Sequence, residues 1–445
     1  MTNLMITASG PTQRQTTSRQ RVASREIHAV TDLAGFSVLA VQILGLLFLF
    51  HLYHLETYEF LVMSTIAFAA FCIHYWLPFR FKELFWIAVS IAGSFVLLNA
   101  IVAALVLGVG LAIFVIFRIP LAFRWRLGLV LTVFAALICG CVTHAFDIPR
   151  SFYAVFGGIF MFRTITYAYD LAHAKEPPSL ISYLSYFLIL PNYYYTLFPV
   201  IDFQTMRATY YRRNIHEIAQ QGIHWMVRGG IQLMLYRVVL YFNDAYLPDR
   251  VTSLPRLISN IILTFLLYLD VSGKFHIIVG MLHLFGYDLP ETNRRYLLAS
   301  SFLDFWRRIN IYWKDFMVKI AYLPVYFKFR KSGELRAQIL GTAAVFGVTW
   351  AAHSYQSLWI EGKFALSWTD TIFWGVLGIL VMVNVIFSHW HKARRITSGW
   401  RTRGLLALKT MGTFATIVVL WSLWSSPSVT SWLYLMSRWT RGPVQ

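Results

Sequence analysis

The chain has 445 residues, of which 58% are apolar, 17% aromatic and only 13% charged. Soluble domains average about 45–50% apolar and about 25% charged residues, and a soluble fold of this length cannot hide so much apolar surface, so disorder, a coiled coil and a disulfide scaffold are excluded together with it. Lys and Arg total 39 against 20 Asp and Glu, a formal net charge of +19, and in so apolar a chain this excess belongs to cytoplasmic loops beside anionic headgroups and not to a nucleic-acid interface.

Residues 1–30 are polar, carry Arg14, Arg19, Arg21 and Arg25, and read as a cytoplasmic segment. The apolar run that follows is long enough to span, so no cleavable signal peptide is evident. A helix crossing the hydrocarbon needs about 20 apolar residues. Runs free of Asp, Glu, Lys and Arg cover Leu33–Leu55, Phe60–Phe79, Leu84–Phe117, Leu127–Phe146, Pro177–Ile201, Ala337–Ile360, Thr371–His391 and Thr410–Ser437. Leu84–Phe117 is too long for one crossing and reads as two, turning near Asn99–Ile101. Strand-like alternation is absent, and backbone in lipid must satisfy itself, so the chain is all-α. Cys72, Cys139 and Cys141 all sit in apolar runs, with no CxxC pair and no zinc-site pattern.

Basic clusters precede Leu33 and recur at Arg80–Lys82, Arg118–Arg126, Arg207–Arg213 and Lys392–Arg403, while the intervening turns hold Glu56, Glu59, Asp147, Glu361 and Asp370. This alternation places the N-terminus in the cytoplasm of a multi-pass protein of the cell (inner) membrane. Residues 31–445 read as a single membrane domain. Between about residues 150 and 335 the apolar segments are interrupted, by Arg163, Tyr167 and Asp170 after Gly157–Gly158, by Arg228 and Arg237, and by Asp270 and Lys274 around Ser272–Gly273. Ionisable groups at membrane depth are expensive and face a bundle interior or a wet cavity. Asp270 and Lys274, four apart, can neutralise each other on one helix face.

The run Phe265–Lys331 carries Asp270, Ser272, Gly273, Gly280, Gly286, Leu289–Pro290–Glu291, Tyr296–Leu297, Ser301–Phe302 and the block Phe305–Trp306–Arg307–Arg308. It resembles the membrane-bound O-acyltransferase superfamily, in particular its bacterial branch of D-alanyl transfer and alginate acetylation proteins. Gly157–Lys175 (GGIFMFRTITYAYDLAHAK) resembles that branch's upstream signature, and Phe187–Phe203, with Pro191 and Pro199, its proline-containing hairpin. The resemblance covers roughly residues 150–360, and several weak fragments in the right order make it fairly specific. It implies about 9–12 transmembrane helices with re-entrant or interfacial helices around a central tunnel. It also implies a polar residue after the Trp–Arg block and a histidine in the next apolar segment, here Asn310 and His353. The chain departs from the branch in having Asn at the first position and Ala352 and Ser354 as neighbours of the histidine.

Moving an acyl group from a thioester to a hydroxyl needs a base for the hydroxyl proton and donors for the developing oxyanion. Histidine titrates near neutrality, so His353 is the expected base and Asn310 the expected donor or positioning group. No bound cofactor or metal is expected; acyl-CoA or an acyl-carrier thioester is the implied co-substrate, an acyl-carrier protein a candidate partner, and a cell-envelope polysaccharide or lipid-linked glycan the favoured hydroxyl acceptor. Trp306, Arg307 and Arg308 are candidates for donor binding, arginine being suited to phosphate and carboxylate oxygens, with interfacial anchoring as the structural alternative. A packed histidine is the alternative for His353. His389 with His391, and His51 with His54, read as interfacial; His276 and His283 read as cavity or packing residues. A transporter or flippase is the rival class, but no internal repeat of the kind it would need is apparent; an acyltransferase-like binding protein without catalysis is the third reading.

Overall fold

The computed structural model describes residues 25–440 apart from 146, 175–176, 196–198, 246–249, 363, 365 and 391–399. The described residues are mainly helical and form no strand; an isolated antiparallel bridge joins Tyr210 and Tyr287. Most of the expected N-terminal segment, His391 and most of the Lys392–Arg403 cluster lie outside the described residues.

Five consecutive helices open the chain: α1 Leu33–Leu52, α2 Tyr58–Trp76, α3 Phe79–Leu97, α4 Ala100–Arg118 and α5 Phe123–Thr143. Short polar side chains start them. Asp32 accepts the Gly35 N–H at 2.6 Å at the head of α1, and Asn99 accepts the Val102 N–H at 2.8 Å where α3 turns into α4, each satisfying a donor that the first helical turn leaves orphaned. At the end of α2 the orphans are carbonyls, and the buried Lys82 ammonium donates to His74 O at 2.5 Å and Tyr75 O at 2.8 Å, placing a cation at the negative end of the helix dipole.

The middle of the chain is shorter-ranged. Helix α6 (Arg150–Val155) runs through one wide π-turn (Phe156–Phe160) into α7 (Met161–His173), followed by α8 (Leu180–Phe187), a tight 3₁₀ turn (Leu190–Tyr193) and α9 (Phe203–Thr209). The apolar run Pro177–Ile201 is therefore not a crossing. Its first helix is eight residues long, and the chain around Pro191 is buried in protein, where irregular backbone is tolerated. Arg163, fully buried, satisfies that backbone by donating to Tyr186 O at 2.9 Å, Phe187 O at 3.1 Å and Asn192 Oδ1 at 3.2 Å.

Helix α10 (Ile215–Ala245) then packs antiparallel on α12 (Tyr268–Leu284), with α11 (Leu254–Leu266) between them in sequence. Four glycines permit the approach. A Cβ on Gly229 would sit 2.6 Å from Gly273 O, and one on Gly280 would sit 2.5 Å from Gly222 O, the small-residue crossing expected where lipid supplies no hydrophobic drive. The remaining helices are α13 (Phe302–Arg308), α14 (Ile311–Met317), α15 (Leu323–Phe329), α16 (Glu334–Glu361), α17 (Trp368–Trp390), α18 (Trp400–Trp424) and α19 (Val429–Arg438).

Among the described residues seven helical stretches are long and apolar enough to cross a membrane: α1, α2, α4, α5, the α11–α12 stretch Leu254–Leu284, α17 and α18. This is a polytopic membrane protein. The count is below the nine to twelve expected because three other long helices are too polar to qualify: α3 begins with Arg80, Lys82 and Glu83, α10 carries Glu217, Arg228 and Arg237, and α16 carries Gln338, His353 and Gln356.

Buried ions tie distant segments together. Lys319, in the π-turn Val318–Tyr322, is paired with both Asp170 of α7 and Asp202 at the head of α9. Lys274 pairs with Asp270 at 2.9 Å, as the spacing expects, and also with Glu56 at 3.3 Å. Asp288, beyond the end of α12, takes Arg213 through both oxygens at 2.5 and 2.9 Å and Arg212 at 2.8 Å.

Candidate functional site

A cavity of about 380 Å³ opens among α7, α11, α12, α13, α14, α16, α17 and α18. Asn310 and His353 both line it, as does Trp306. The wall is mainly aromatic, with Phe162, Phe305, Trp313, Trp374 and Trp424 among its members, and polar groups are few: Thr264, Tyr268, Asn310, His353, Gln356 and Ser425. An apolar pocket with a handful of convergent polar groups is the general form of a small-molecule site.

Asn310 is fixed by its backbone. It has φ +39° and ψ 63°, a left-handed conformation that asparagine tolerates better than most residues, and it caps α14, its Oδ1 accepting the Trp313 N–H at 3.2 Å. Its own N–H donates to Oδ1 of Asn293 at 2.8 Å. Asn293 is fully buried and its Oδ1 also accepts the Tyr268 hydroxyl at 3.2 Å. On either side of that contact the segment Thr292–Arg294 runs along 308–311, with Ile311 N–H donating to Thr292 O and Arg294 N–H to Arg308 O, both at 2.8 Å. The segment Thr292–Arg294, which follows Leu289–Pro290–Glu291, thus sets the position of Asn310. Capping occupies the carboxamide oxygen, and the Nδ2 group has no hydrogen-bond partner among the described residues.

His353 sits on α16 on the same face as Thr349 and Gln356, at helical spacing. Its imidazole lies tilted against Trp374, with centroids 4.8 Å apart and planes at 32°, and meets Trp424 edge-on at 5.3 Å and 88°. Trp424 is anchored by its indole N–H, which donates to Asp370 Oδ1 at 2.5 Å, and Asp370 is also bonded by the Ser367 hydroxyl. No imidazole nitrogen of His353 is hydrogen-bonded to a described residue. A second link joins the two candidates: Trp313, whose N–H is capped by Asn310, donates its indole N–H to Thr349 Oγ1 at 3.2 Å, one turn before His353.

The other expected site residues divide. Trp306 lines the cavity and lies 4.8 Å from Phe346. Arg307 and Arg308 do not line it. Arg308 is paired with Asp304 at 2.7 Å, and Arg307 is half-buried, with Nη2 lacking a hydrogen-bond partner. His276 and His283 are packing residues, each bonded through Nδ1 to the carbonyl one turn earlier at 2.7 Å, and neither reaches the cavity. His51, His54 and His389 are exposed. Gly157 is a packing position: a Cβ there would meet the Trp359 ring at 2.0 Å.

Sequence reasoning missed the aromatic wall and its supports. Trp374, Trp421 and Trp424 come from α17 and α18, beyond the stretch 150–360 that carries the resemblance. The signal for them was present as tryptophans at positions 421 and 424, one turn apart in an apolar run. Asp370 reads in the sequence only as a loop charge, and nothing local marks Asn293. No family model matches the chain, and no curated protein matches it.

Proposed function

We propose that the chain is a membrane-bound O-acyltransferase that moves an acyl group from a thioester to a hydroxyl. The observation that supports this reading is that Asn310 and His353, distant in sequence, line one aromatic cavity. In this reading His353 takes the proton of the acceptor hydroxyl as its oxygen attacks the thioester carbonyl. The new C–O bond forms, the C–S bond breaks, and the proton passes to the departing thiolate. The Asn310 Nδ2 group donates to the carbonyl oxygen as it becomes negative, an interaction strengthened where water is scarce. The apolar walls suit the acyl chain, and in this reading the cavity belongs to a passage between a donor and an acceptor on opposite faces. Acyl-CoA or an acyl-carrier thioester supplies the group, and an envelope polysaccharide or lipid-linked glycan receives it. The protein sits in the cell (inner) membrane with its N-terminus in the cytoplasm.

The test is transfer of label from acyl donors to envelope extract by the purified protein. A positioned base contributes about 10²–10⁴-fold, so His353→Ala lowers the rate by that order. A folded His353→Ala protein that transfers at the parental rate overturns the assignment.

A further inference from the structure

A second groove, in which polar side chains sit among Phe302 and Phe387, lies beside α17 and α18. It is lined by Ser300 and Ser301, by Asn384 and Ser388 of α17, and by Lys409 and Thr416 of α18. Its depth makes it unusual. Trp390 and Trp400 are exposed, and Arg401 and Arg403 follow Trp400, the usual furniture of a membrane interface. Lys409 is six residues further along the helix than Arg403, about 9 Å deeper at 1.5 Å per residue. Leu405, one turn before Lys409 on the same face of α18, is exposed, so this face meets lipid. Lys409 has no ion-pair partner among the described residues, and no Asp or Glu lines the groove. The nearest acid of the 300–306 segment is already engaged. Asp304 accepts from the Ser300 N–H and hydroxyl at 3.1 and 3.4 Å and from Arg308 Nε at 2.7 Å. Asn384 spends its oxygen on the Leu303 N–H at 3.2 Å, which leaves its amide as a donor.

A lone lysine below the interface, in one groove with the Ser388 hydroxyl and the Asn384 amide and open sideways to the bilayer, lacks an anion among the described residues. We propose that this groove binds the phosphate of an anionic phospholipid, the ammonium of Lys409 supplying the charge and Ser388 and Asn384 the neutral contacts. Lateral opening onto a lipid-facing helix surface favours a lipid over a soluble phosphate. The site is separate from the aromatic cavity and does not rest on the acyl-transfer reading.

The test is native mass spectrometry of the detergent-purified full chain titrated with phosphatidylglycerol and with diacylglycerol bearing the same tails. Phosphatidylglycerol is retained and diacylglycerol is not. Lys409→Gln, at an exposed position, weakens retention about tenfold, the loss expected for one charge-assisted hydrogen bond, and Lys409→Arg restores it. Joint replacement of Arg401 and Arg403 by Gln leaves retention within about twofold of the parent, because those charges act at a distance and are screened. Three results overturn the proposal: parental retention by Lys409→Gln, an equal loss on replacing Arg401 and Arg403, or displacement of the lipid by inorganic pyrophosphate or coenzyme A at concentrations comparable to its own.

Discussion

Asn310 has two separable duties, and three substitutions tell them apart. Its left-handed backbone (φ +39°) and its capping oxygen are structural, whereas its Nδ2 group is the proposed donor. Asn310→Ala keeps a β-carbon in the left-handed conformation but loses the short polar side chain that offsets part of that conformation's cost of about 1–2 kcal/mol, and it removes a cap that contributes about 1 kcal/mol, so it destabilises by up to about 2–3 kcal/mol. Asn310→Gly enters the same conformation freely and caps almost as well. Asn310→Asp keeps the capping oxygen and adds a charge favoured at a helix N-terminus. Thermal denaturation in detergent should therefore show Asn310→Ala melting several degrees early and the Gly and Asp variants close to the parent. All three lack the donor, and losing one oxyanion donor costs about 10²–10³ in rate, so all three should fail in acyl transfer alike. A folded Asn310→Gly protein with parental transfer would refute the chemical role. An Asn310→Ala protein as stable as the parent would refute the account of the cap.

The remaining predictions concern the fold. Gly280→Ala forces the backbones of α10 and α12 apart, since the new carbon would stand 2.5 Å from Gly222 O; overpacking of this kind costs about 1–3 kcal/mol, and a lowered melting temperature checks it. Gly375→Ala, in a helix with nothing within 4 Å of the added carbon, should be neutral or slightly stabilising, and equal behaviour of the two variants would contradict the packing argument. Lys319→Met leaves the carboxylates of Asp170 and Asp202 without their cation; breaking a buried pair costs about 3–5 kcal/mol, so yield of folded protein should collapse, and adding Asp170→Asn and Asp202→Asn should recover part of it. Burial pulls the Asp288 carboxyl up, but hydrogen bonds and charge from Arg213 and Arg212 outweigh it and hold the group below its ordinary 3.8. A depressed pKa gives stability that is present above the unfolded value and lost as pH falls through the folded one, so the parent should lose stability on acidification below 3.8 more steeply than Asp288→Asn.

What the sequence reveals here is what is local. The turn near Asn99 is legible because one side chain caps the next helix, with Asn99 accepting from Val102 N–H, and the Asp270–Lys274 pair because four residues is one helical turn. Asn310 and His353 stand out through their place in a motif, and the cavity they line could be anticipated only as a shared passage. The partners of Lys319 cannot be read off, because Asp170 and Asp202 lie more than a hundred positions away and many other acids could have served. Pro177–Ile201 misleads for a related reason: freedom from charge marks a segment as buried, and burial inside protein and burial in lipid leave the same composition. The indoles around His353 escape notice because they come from helices that the motif does not include.

Five of the chain's 16 tryptophans, Trp306, Trp313, Trp374, Trp421 and Trp424, face a single chamber. Indole fluorescence shifts in colour and intensity with the polarity of its surroundings. The protein therefore carries an unlabelled optical sensor at the place where a substrate would lodge. Emission spectra recorded while candidate thioesters or glycolipids are added would rank ligands before any product is known.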